Sequence, residues 1–398
     1  MKQVYIVDAV RTAVGKFSGT LSSVRPDDLG AIVIKALIDR NPNLDVNEIE
    51  DVIFGAANQA GEDNRNVARM SALLAGLPIS VGGNTVNRLC ASGLQSIVDA
   101  SRAIQCGDGE IYISGGTESM TRAPFVMAKA ETAYSRTPEI YDTTIGWRFT
   151  NKKLAAMYHP YAMGETAENV AERWNISREE QDTFAFQSQE KYQAAHAAGK
   201  FSNEIVPVHI PQKKGDPIIF NKDEHPRMSS MEDLSKLKPA FKKEGSVTAG
   251  NSSGINDGAA ALMLVSEDAL KKYNLTPLAR VVSRGVAGVD PAIMGIGPVP
   301  ASQKALKRAG LKASDLGLVE LNEAFASQSI ACMRDLAIDP SIINVNGGAI
   351  AIGHPLGGSG ARISTTLIHE MQKRNVRYGL ATMCIGVGQG VALVFEKC

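Results

Sequence analysis

Over the first 120 residues, short β-branched and apolar runs alternate with stretches of helical spacing. Val4 to Val7, Val52 to Phe54 and Ile111 to Ser114 read as strands, and Leu29 to Ile38 and Leu94 to Ile104 as helices. This alternation predicts an α/β fold with parallel strands. From about Thr121 to Ala249 the character changes, with more Lys, Tyr, Met and Pro and one long amphipathic helix from Arg178 to about Ala198, and the segment reads as an insertion. After Val281-Val282 the alternation returns through Ala305 to Arg308, Leu318 to Leu321 and Ile342 to Asn346. A helix over Ala361 to Gln372 follows, then the paired strands Leu380 to Met383 and Val391 to Phe395. The ending repeats the beginning: Val52 falls on Val319 and Ser92-Gly93 on Ser359-Gly360 at one shift of 267 residues (319 − 52 and 359 − 92). Two similar α/β halves are therefore expected, residues 1–120 with 250–275 and residues 276–398, with 121–249 inserted in the first. A ligand site is expected between them, where strand ends and helix N-termini converge.

Composition narrows the function. Hydrophobic residues make up 44% and charged residues 21%, the balance of a folded globular protein rather than a disordered or coiled-coil one. With 42 Lys+Arg against 42 Asp+Glu there is no global field to attract nucleic acid or an anionic membrane. The densest basic stretches, Lys236 to Lys243 and Lys373 to Arg377, are short and mixed with apolar residues. No run approaches the ~18 apolar residues of a membrane span, and Met1-Lys2 leads straight into the first strand without the zones of a signal peptide, so a cytoplasmic location is the default expectation. The five cysteines are odd in number, widely spread and free of CxxC pairing, which indicates neither a disulfide framework nor a metal cage.

A cysteine that matters here matters as a thiol. Cys90 lies just ahead of Leu94, Ile97, Val98 and Ile104, spaced for one helix face, so it sits at or near a helix N-terminus, where free N–H groups and the dipole favour the thiolate. The other reading is an ordinary buried cysteine. His354 stands inside the glycine-rich turn Asn346 to Gly360, and Cys384 among Gly386, Gly388 and Gly390 between two strands, both with small neighbours that let something approach. Asn322-Glu323-Ala324-Phe325 ends a strand and opens a helix, with Asn322 as its N-cap in the plainest reading. There is no P-loop, HExxH or strand-following GxGxxG. The GxSxG match Gly250 to Gly254 precedes a strand, the wrong context for a nucleophile elbow.

Asn87-Arg88-Leu89-Cys90-Ala91-Ser92-Gly93, Asn322-Glu323-Ala324-Phe325, Gly353-His354-Pro355 and Cys384-Ile385-Gly386 resemble, in order, the four signature segments of the thiolases. Val247 to Asn251 and Asn344 to Gly348 extend the resemblance over essentially the whole chain. It implies a five-layered α-β-α-β-α body of two similar halves with an inserted loop domain, and ping-pong acyl transfer with Cys90 as nucleophile. His354 would take the Cys90 proton, and Cys384 would exchange a proton with the α-carbon of acetyl-CoA. One oxyanion hole would combine His354 with a water held by Asn322, the other the N–H groups of Cys90 and Gly386. Coenzyme A or acyl-CoA is implied as substrate, with no permanently bound cofactor and no metal; it would meet Arg227, Ser253, Met163, Phe241, Met294 and Phe325 across the inserted domain. The resemblance also implies a homotetramer, a dimer of dimers, while the charge balance and the lack of a long apolar run set nucleic-acid and membrane partners aside.

Leu21 to Arg25, Asn58 to Asn66, Arg122 to Phe125 and Asp142 to Phe149 look most like the 3-oxoadipyl-CoA thiolases, while the last third looks equally like the 3-ketoacyl-CoA thiolases of fatty-acid breakdown. Alanine at 162, where acetoacetyl-CoA-forming members usually carry histidine, counts against an acetyl-CoA acetyltransferase. Arg148 or a neighbouring arginine is the expected partner of a distal carboxylate. Decarboxylating condensing enzymes, which carry histidine or asparagine where Cys384 stands, and non-catalytic thiolase-like binding proteins, which lose the cysteine or histidine, are the readings of another class.

Overall fold

The computed structural model of the chain describes residues 2–398. Its first half runs β1 (Val4–Thr12), α1 (Pro26–Arg40), β2 (Ile49–Gly55), β3 (Gly82–Val86), α2 (Ser92–Cys106) and β4 (Ile111–Ser119). The chain between Ser119 and Asn256 carries two small two-stranded sheets and, among its helices, α3 (Met163–Arg173) and α4 (Arg178–Ala197). It returns through β5 (Asn256–Ser266). The second half runs β6 (Ala279–Gly288), α5 (Pro298–Ala309), β7 (Leu318–Leu321), α6 (Ala326–Leu336), α7 (Leu356–Arg374), β8 (Tyr378–Ile385) and β9 (Gln389–Lys397).

The strands order β7-β8-β9-β6-β1-β5-β4-β2-β3, and within the sheet the halves meet where Tyr5 and Ile6 of β1 face Arg280 and Ala279 of β6. Parallel pairing holds for β2 with β3 and β4 and for β7 with β8, whereas β1–β5, β5–β4, β6–β9 and β8–β9 are antiparallel. The expected parallel sheet is thus mixed: the insertion and the closing hairpin return strands that no helical crossover precedes. The repeat survives to the register. Val52 faces Ile113 and Val319 faces Leu380, both residues displaced by 267 (319 − 52 and 380 − 113). Ile342 to Asn346, part of the returning alternation, meets β7 through a bridge at Ile343 opposite Val319 and through the Asn344 side chain, which accepts from Leu321 N at 2.9 Å and donates to Leu321 O at 2.8 Å.

Five layers follow from which faces are apolar. In β5, Ala260, Leu262 and Leu264 point into the central core with Leu94 and Ile97 of α2 and Ile363 and Leu367 of α7. Ala261, Met263 and Val265 point the other way, onto Leu29, Val33 and Leu37 of α1. α5 and α6 cover the outer face of the second half through Ala305, Leu306, Cys332 and Leu336. α2 and α7 cross between the two halves at glycines the repeat makes equivalent: a Cβ on Gly93 would stand 2.7 Å from Gly357 O, and one on Gly360 2.1 Å from Leu94 N. Among the described residues no helix is long and apolar enough to cross a membrane.

Candidate active site

The histidine is fixed first. Gly353 adopts φ +112, where a Cβ would also fall 2.6 Å from the Asn256 side chain, and the next N–H, that of His354, donates to Asn256 Oδ1 at 2.9 Å. The ring is buried, with Nδ1 2.6 Å from Ser359 Oγ, and that hydroxyl donates to Pro355 O at 2.8 Å. The serine's one hydrogen being used, Nδ1 carries the proton and donates to Ser359, which leaves Nε2 as a bare acceptor. Asn322 Nδ2 points at it from 3.5 Å. Burial, reinforced by the Arg362 guanidinium, pushes His354 down to about 3, so the imidazole is neutral.

Cys90 sits two residues before α2, whose N-cap is Ala91. The turn before it, with Leu89 at φ +46, is closed by side chains: Leu89 N donates to Asn87 Oδ1 at 2.9 Å, Arg88 N to Ser92 Oγ at 2.9 Å, and Asn87 Nδ2 to Ala57 O at 3.0 Å. Cys90 is half-buried. Burial pushes its thiol up to about 11, against the backbone N–H groups of Gly386 and of Cys90 itself. The resting group is therefore the thiol, contrary to the expectation that the helix N-terminus holds a thiolate: desolvation outweighs the dipole. Cys384, fully buried near the end of β8, is pushed well above the ordinary range, first by burial and then by Cys90.

Cys90, His354 and Cys384 converge on one cavity of about 570 Å³. Arg227, Ser253, Met163, Phe241, Met294 and Phe325 all line it as well. Its walls are held by the segment before β5. Ser253 N donates to Ala324 O at 3.0 Å, Ala326 N to Asn251 O at 2.9 Å, and Asn251 Nδ2 reaches Asp182 on α4 at 2.9 Å. The Phe241 and Phe325 rings meet edge-on at 6.3 Å, and Gly164 leaves room for the Phe241 ring, 2.2 Å from where a Cβ would stand. Arg227 is at the exposed rim, its guanidinium bonded to Ala249 O at 2.8 Å. Asn322 stands behind His354 rather than on the wall, and Phe325, not Asn322, is the N-cap of α6. Asn322 Oδ1 is buried without a partner among the described residues. Glu323 is a strut, joining Ser188 of α4 to Asn344 and to the Ile350 N–H ahead of the histidine turn.

A second cavity of about 270 Å³ opens beside the first. The two share Cys90, Met163, Ile145 and Gly146, and the smaller one adds Gly386, Glu118 and Arg148. A Cβ on Gly386 would enter the space 3.3 Å from Leu89 and 3.6 Å from Met163.

Sequence reasoning missed four supporting residues: Ser359, Asn256, Glu118 and His225. Glu118 lies near the end of β4 and accepts the N–H groups of Ala57 and Gly357 at 2.8 Å and of Asn58 at 3.1 Å, tying the two halves together beside Cys90; burial raises it to about 7. A lone acid among small residues, Gly115-Gly116-Thr117-Glu118, was the available signal. His225 lines the larger cavity, and burial with Arg227 lowers it to about 4. Among the described residues no group of three or more His, Cys, Asp or Glu is placed to hold a metal.

A neutral histidine with a bare ring nitrogen and two thiols on the same cavity suit acyl transfer through a covalent thioester. Comparison with known proteins agrees. Residues 4–268 match the family model "Thiolase, N-terminal domain" and residues 275–397 match "Thiolase, C-terminal domain". The chain is 56% identical to a beta-ketoadipyl-CoA thiolase of Acinetobacter baylyi, with all of both chains covered. It is 54% identical to a 3-oxoadipyl-CoA/3-oxo-5,6-dehydrosuberyl-CoA thiolase of Escherichia coli, again covering both completely. A Bacillus anthracis acetyl-CoA acetyltransferase superimposes with TM-score 0.94 at 42% identity, covering 100% of this chain and 99% of that one. The human mitochondrial 3-ketoacyl-CoA thiolase in complex with CoA does so with TM-score 0.93 at 43% identity, covering 100% and 98%.

Proposed function

The chain belongs to the thiolase family of acyltransferases, and from that membership we propose that it cleaves 3-oxoadipyl-CoA with coenzyme A to give acetyl-CoA and succinyl-CoA. The observation that carries the chemistry is the convergence of Cys90, His354 and Cys384 on one cavity. The full-length relatives named for 3-oxoadipyl-CoA support the substrate.

In this reading His354 Nε2 takes the Cys90 proton as the sulfur attacks the 3-oxo carbon. The C2–C3 bond breaks, and Cys384, protonated at rest, delivers its proton to C2 of the acetyl-CoA enolate. The Cys384 thiolate then takes the proton of the incoming CoA thiol, CoA attacks the acyl-Cys90 carbonyl, and the departing Cys90 sulfur recovers its proton from His354. The Cys90 and Gly386 N–H groups hold the acyl oxygen, and protonated His354 with a water on the free Asn322 Oδ1 holds the enolate oxygen. Removing one such donor costs ~3 kcal/mol of barrier. Coenzyme A occupies the larger cavity, its adenine end towards Arg227, its pantetheine along Ser253, and the tunnel lined by Met163, Phe241, Met294 and Phe325. The inserted loop domain, residues 121–249, carries much of that wall. Assembly into tetramers belongs to the same reading, supported by the exposed Phe125, Tyr134, Ile140 and Phe149 of the insertion.

An acetyl-CoA acetyltransferase is the second reading, favoured by a 48% identical Allochromatium vinosum relative of that name. Thiolysis of 3-oxoadipyl-CoA, acetoacetyl-CoA and a medium-chain 3-ketoacyl-CoA, compared by kcat/KM, decides between them. A lead of tenfold or more for 3-oxoadipyl-CoA, about 1.4 kcal/mol of transition-state discrimination, is expected. A lead for acetoacetyl-CoA overturns the substrate, and no cleavage of any of the three overturns thiolysis itself in favour of a decarboxylating or binding role.

A further inference from the structure

We propose that the smaller cavity is a carboxylate-recognition subsite in which Arg148 pairs with the distal carboxylate of the acyl group held on Cys90. The inference deepens the substrate reading above and rests on it.

The cavity starts at the nucleophile, shares a wall at Met163, Ile145 and Gly146 with the space assigned to coenzyme A, and extends beyond it to Arg148, which the larger cavity does not reach. Its volume of about 270 Å³ suits a short acyl arm. The segment that carries the arginine is fastened just ahead of it. Thr143 Oγ1 donates to Pro124 O at 2.6 Å, Asn58 Nδ2 donates to Thr143 Oγ1 at 2.9 Å, Thr144 N bonds Asp142 at 2.8 Å, and beyond Gly146, at φ +91, Trp147 Nε1 donates to Tyr161 O at 3.0 Å. A loop tied in this way presents its next side chain in a fixed place.

Charge complementarity selects Arg148 over its neighbours. Arg122 is engaged by Glu62, Nη2 to Oε1 at 2.6 Å, and Arg25 by Asp27 at 2.8 Å, so neither is free for a ligand. Arg148 is half-buried and, among the described residues, has neither a hydrogen bond nor a carboxylate within 4.0 Å. The one other charged side chain on this cavity, Glu118, already has its oxygens on the N–H groups of Ala57, Asn58 and Gly357. A guanidinium partly withdrawn from water and left without a counter-charge calls for an anion, and a carboxylate matches its fork with two parallel hydrogen bonds. The anion that arrives beside Cys90 is the far end of the acyl chain.

The test sets 3-oxoadipyl-CoA against 3-oxohexanoyl-CoA, which has the same carbon count and a methyl in place of the carboxylate, using wild type, Arg148→Gln and Arg148→Lys. For 3-oxoadipyl-CoA, Arg148→Gln is expected to lower kcat/KM by at least ~30-fold, the loss that accompanies removal of one partner of a buried charge pair. The 3-oxohexanoyl-CoA rate is expected to stay within about threefold, and Arg148→Lys to recover part of the loss because it restores charge without the fork. Equal losses on both substrates make Arg148 a structural residue and overturn the subsite; so does an unchanged 3-oxoadipyl-CoA rate in Arg148→Gln when wild type prefers that substrate. A wild type with no preference for the dicarboxylic substrate overturns the substrate reading itself, which separates the two failures.

Discussion

Replacing Ser359 by alanine tests the most particular feature of the site, the tautomer of its base. The hydroxyl is the acceptor for His354 Nδ1–H at 2.6 Å, and its own hydrogen goes to Pro355 O at 2.8 Å. Without it the ring has two options. Keeping its tautomer leaves a buried N–H unpaired, a cost of about 1–3 kcal/mol, or roughly 5- to 150-fold in rate. Changing tautomer puts the hydrogen on Nε2, where it faces the Asn322 amide nitrogen at 3.5 Å and cannot accept the Cys90 proton. A histidine base held in the wrong tautomer loses about 10⁴-fold in the serine-protease triad, which sets the upper bound. Ser359→Ala is therefore expected to lower kcat/KM between about 5- and 10⁴-fold, with Ser359→Thr near wild type because the hydroxyl is retained. The rate of Cys90 alkylation by iodoacetamide should fall in parallel, since both reactions need the thiol proton on Nε2, while KM for CoA should hold. A folded Ser359→Ala within threefold of wild type in both assays would refute the reasoning.

Cys384→Ala should cut turnover by about 10²–10⁴-fold and abolish deuterium exchange into the acetyl-CoA methyl group, with Cys90 still titrated by iodoacetamide; retained exchange removes Cys384 from the proton path. His225 sits at about 4 in the fold against 6.5 unfolded, so the unfolded chain takes up a proton first as pH falls, and stability is lost from about 6.5 down to 4. His225→Asn should lack that component, worth at most ~3 kcal/mol, so plots of ΔG against pH for wild type and variant should diverge over that window and run parallel above pH 7. Gly360→Ala drives a Cβ to 2.1 Å from Leu94 N at the central helix crossing and should cost at least about 3 kcal/mol by urea titration. Gly107→Ala, at φ +86 with nothing within 4 Å, should cost only about 1–2 kcal/mol.

The repeat was legible because strand and helix periods leave a pattern that survives low identity, and the shift of 267 recurs in the Cα register of both halves. Cys90, His354 and Cys384 were legible because each stands among glycines or at a helix start. Their electrostatics were not: a thiol at a helix N-terminus looks acidic in sequence, and only the buried surroundings of Cys90 show that desolvation wins. Asn256 and Glu118 were hidden for another reason. Each acts on a partner distant in sequence, Asn256 on His354 98 residues on and Glu118 on Gly357 239 residues on; the lone acid among small residues marks Glu118 itself but not the partner it reaches. Ile342 to Asn346 had the apolar content of a strand, but a turn with Asn344 at φ +44 ends the backbone pairing after a single bridge.

The central claim is a covalent acyl group on Cys90, and the most direct measurement is a rapid quench of enzyme with 3-oxoadipyl-CoA in the absence of CoA, followed by mass analysis of the peptides. The expected result is a burst of acetyl-CoA equal to the enzyme present, with one succinyl group on the peptide bearing Cys90 and none in Cys90→Ala. A burst without that adduct, or a succinyl group carried on another residue and retained in Cys90→Ala, would contradict the account.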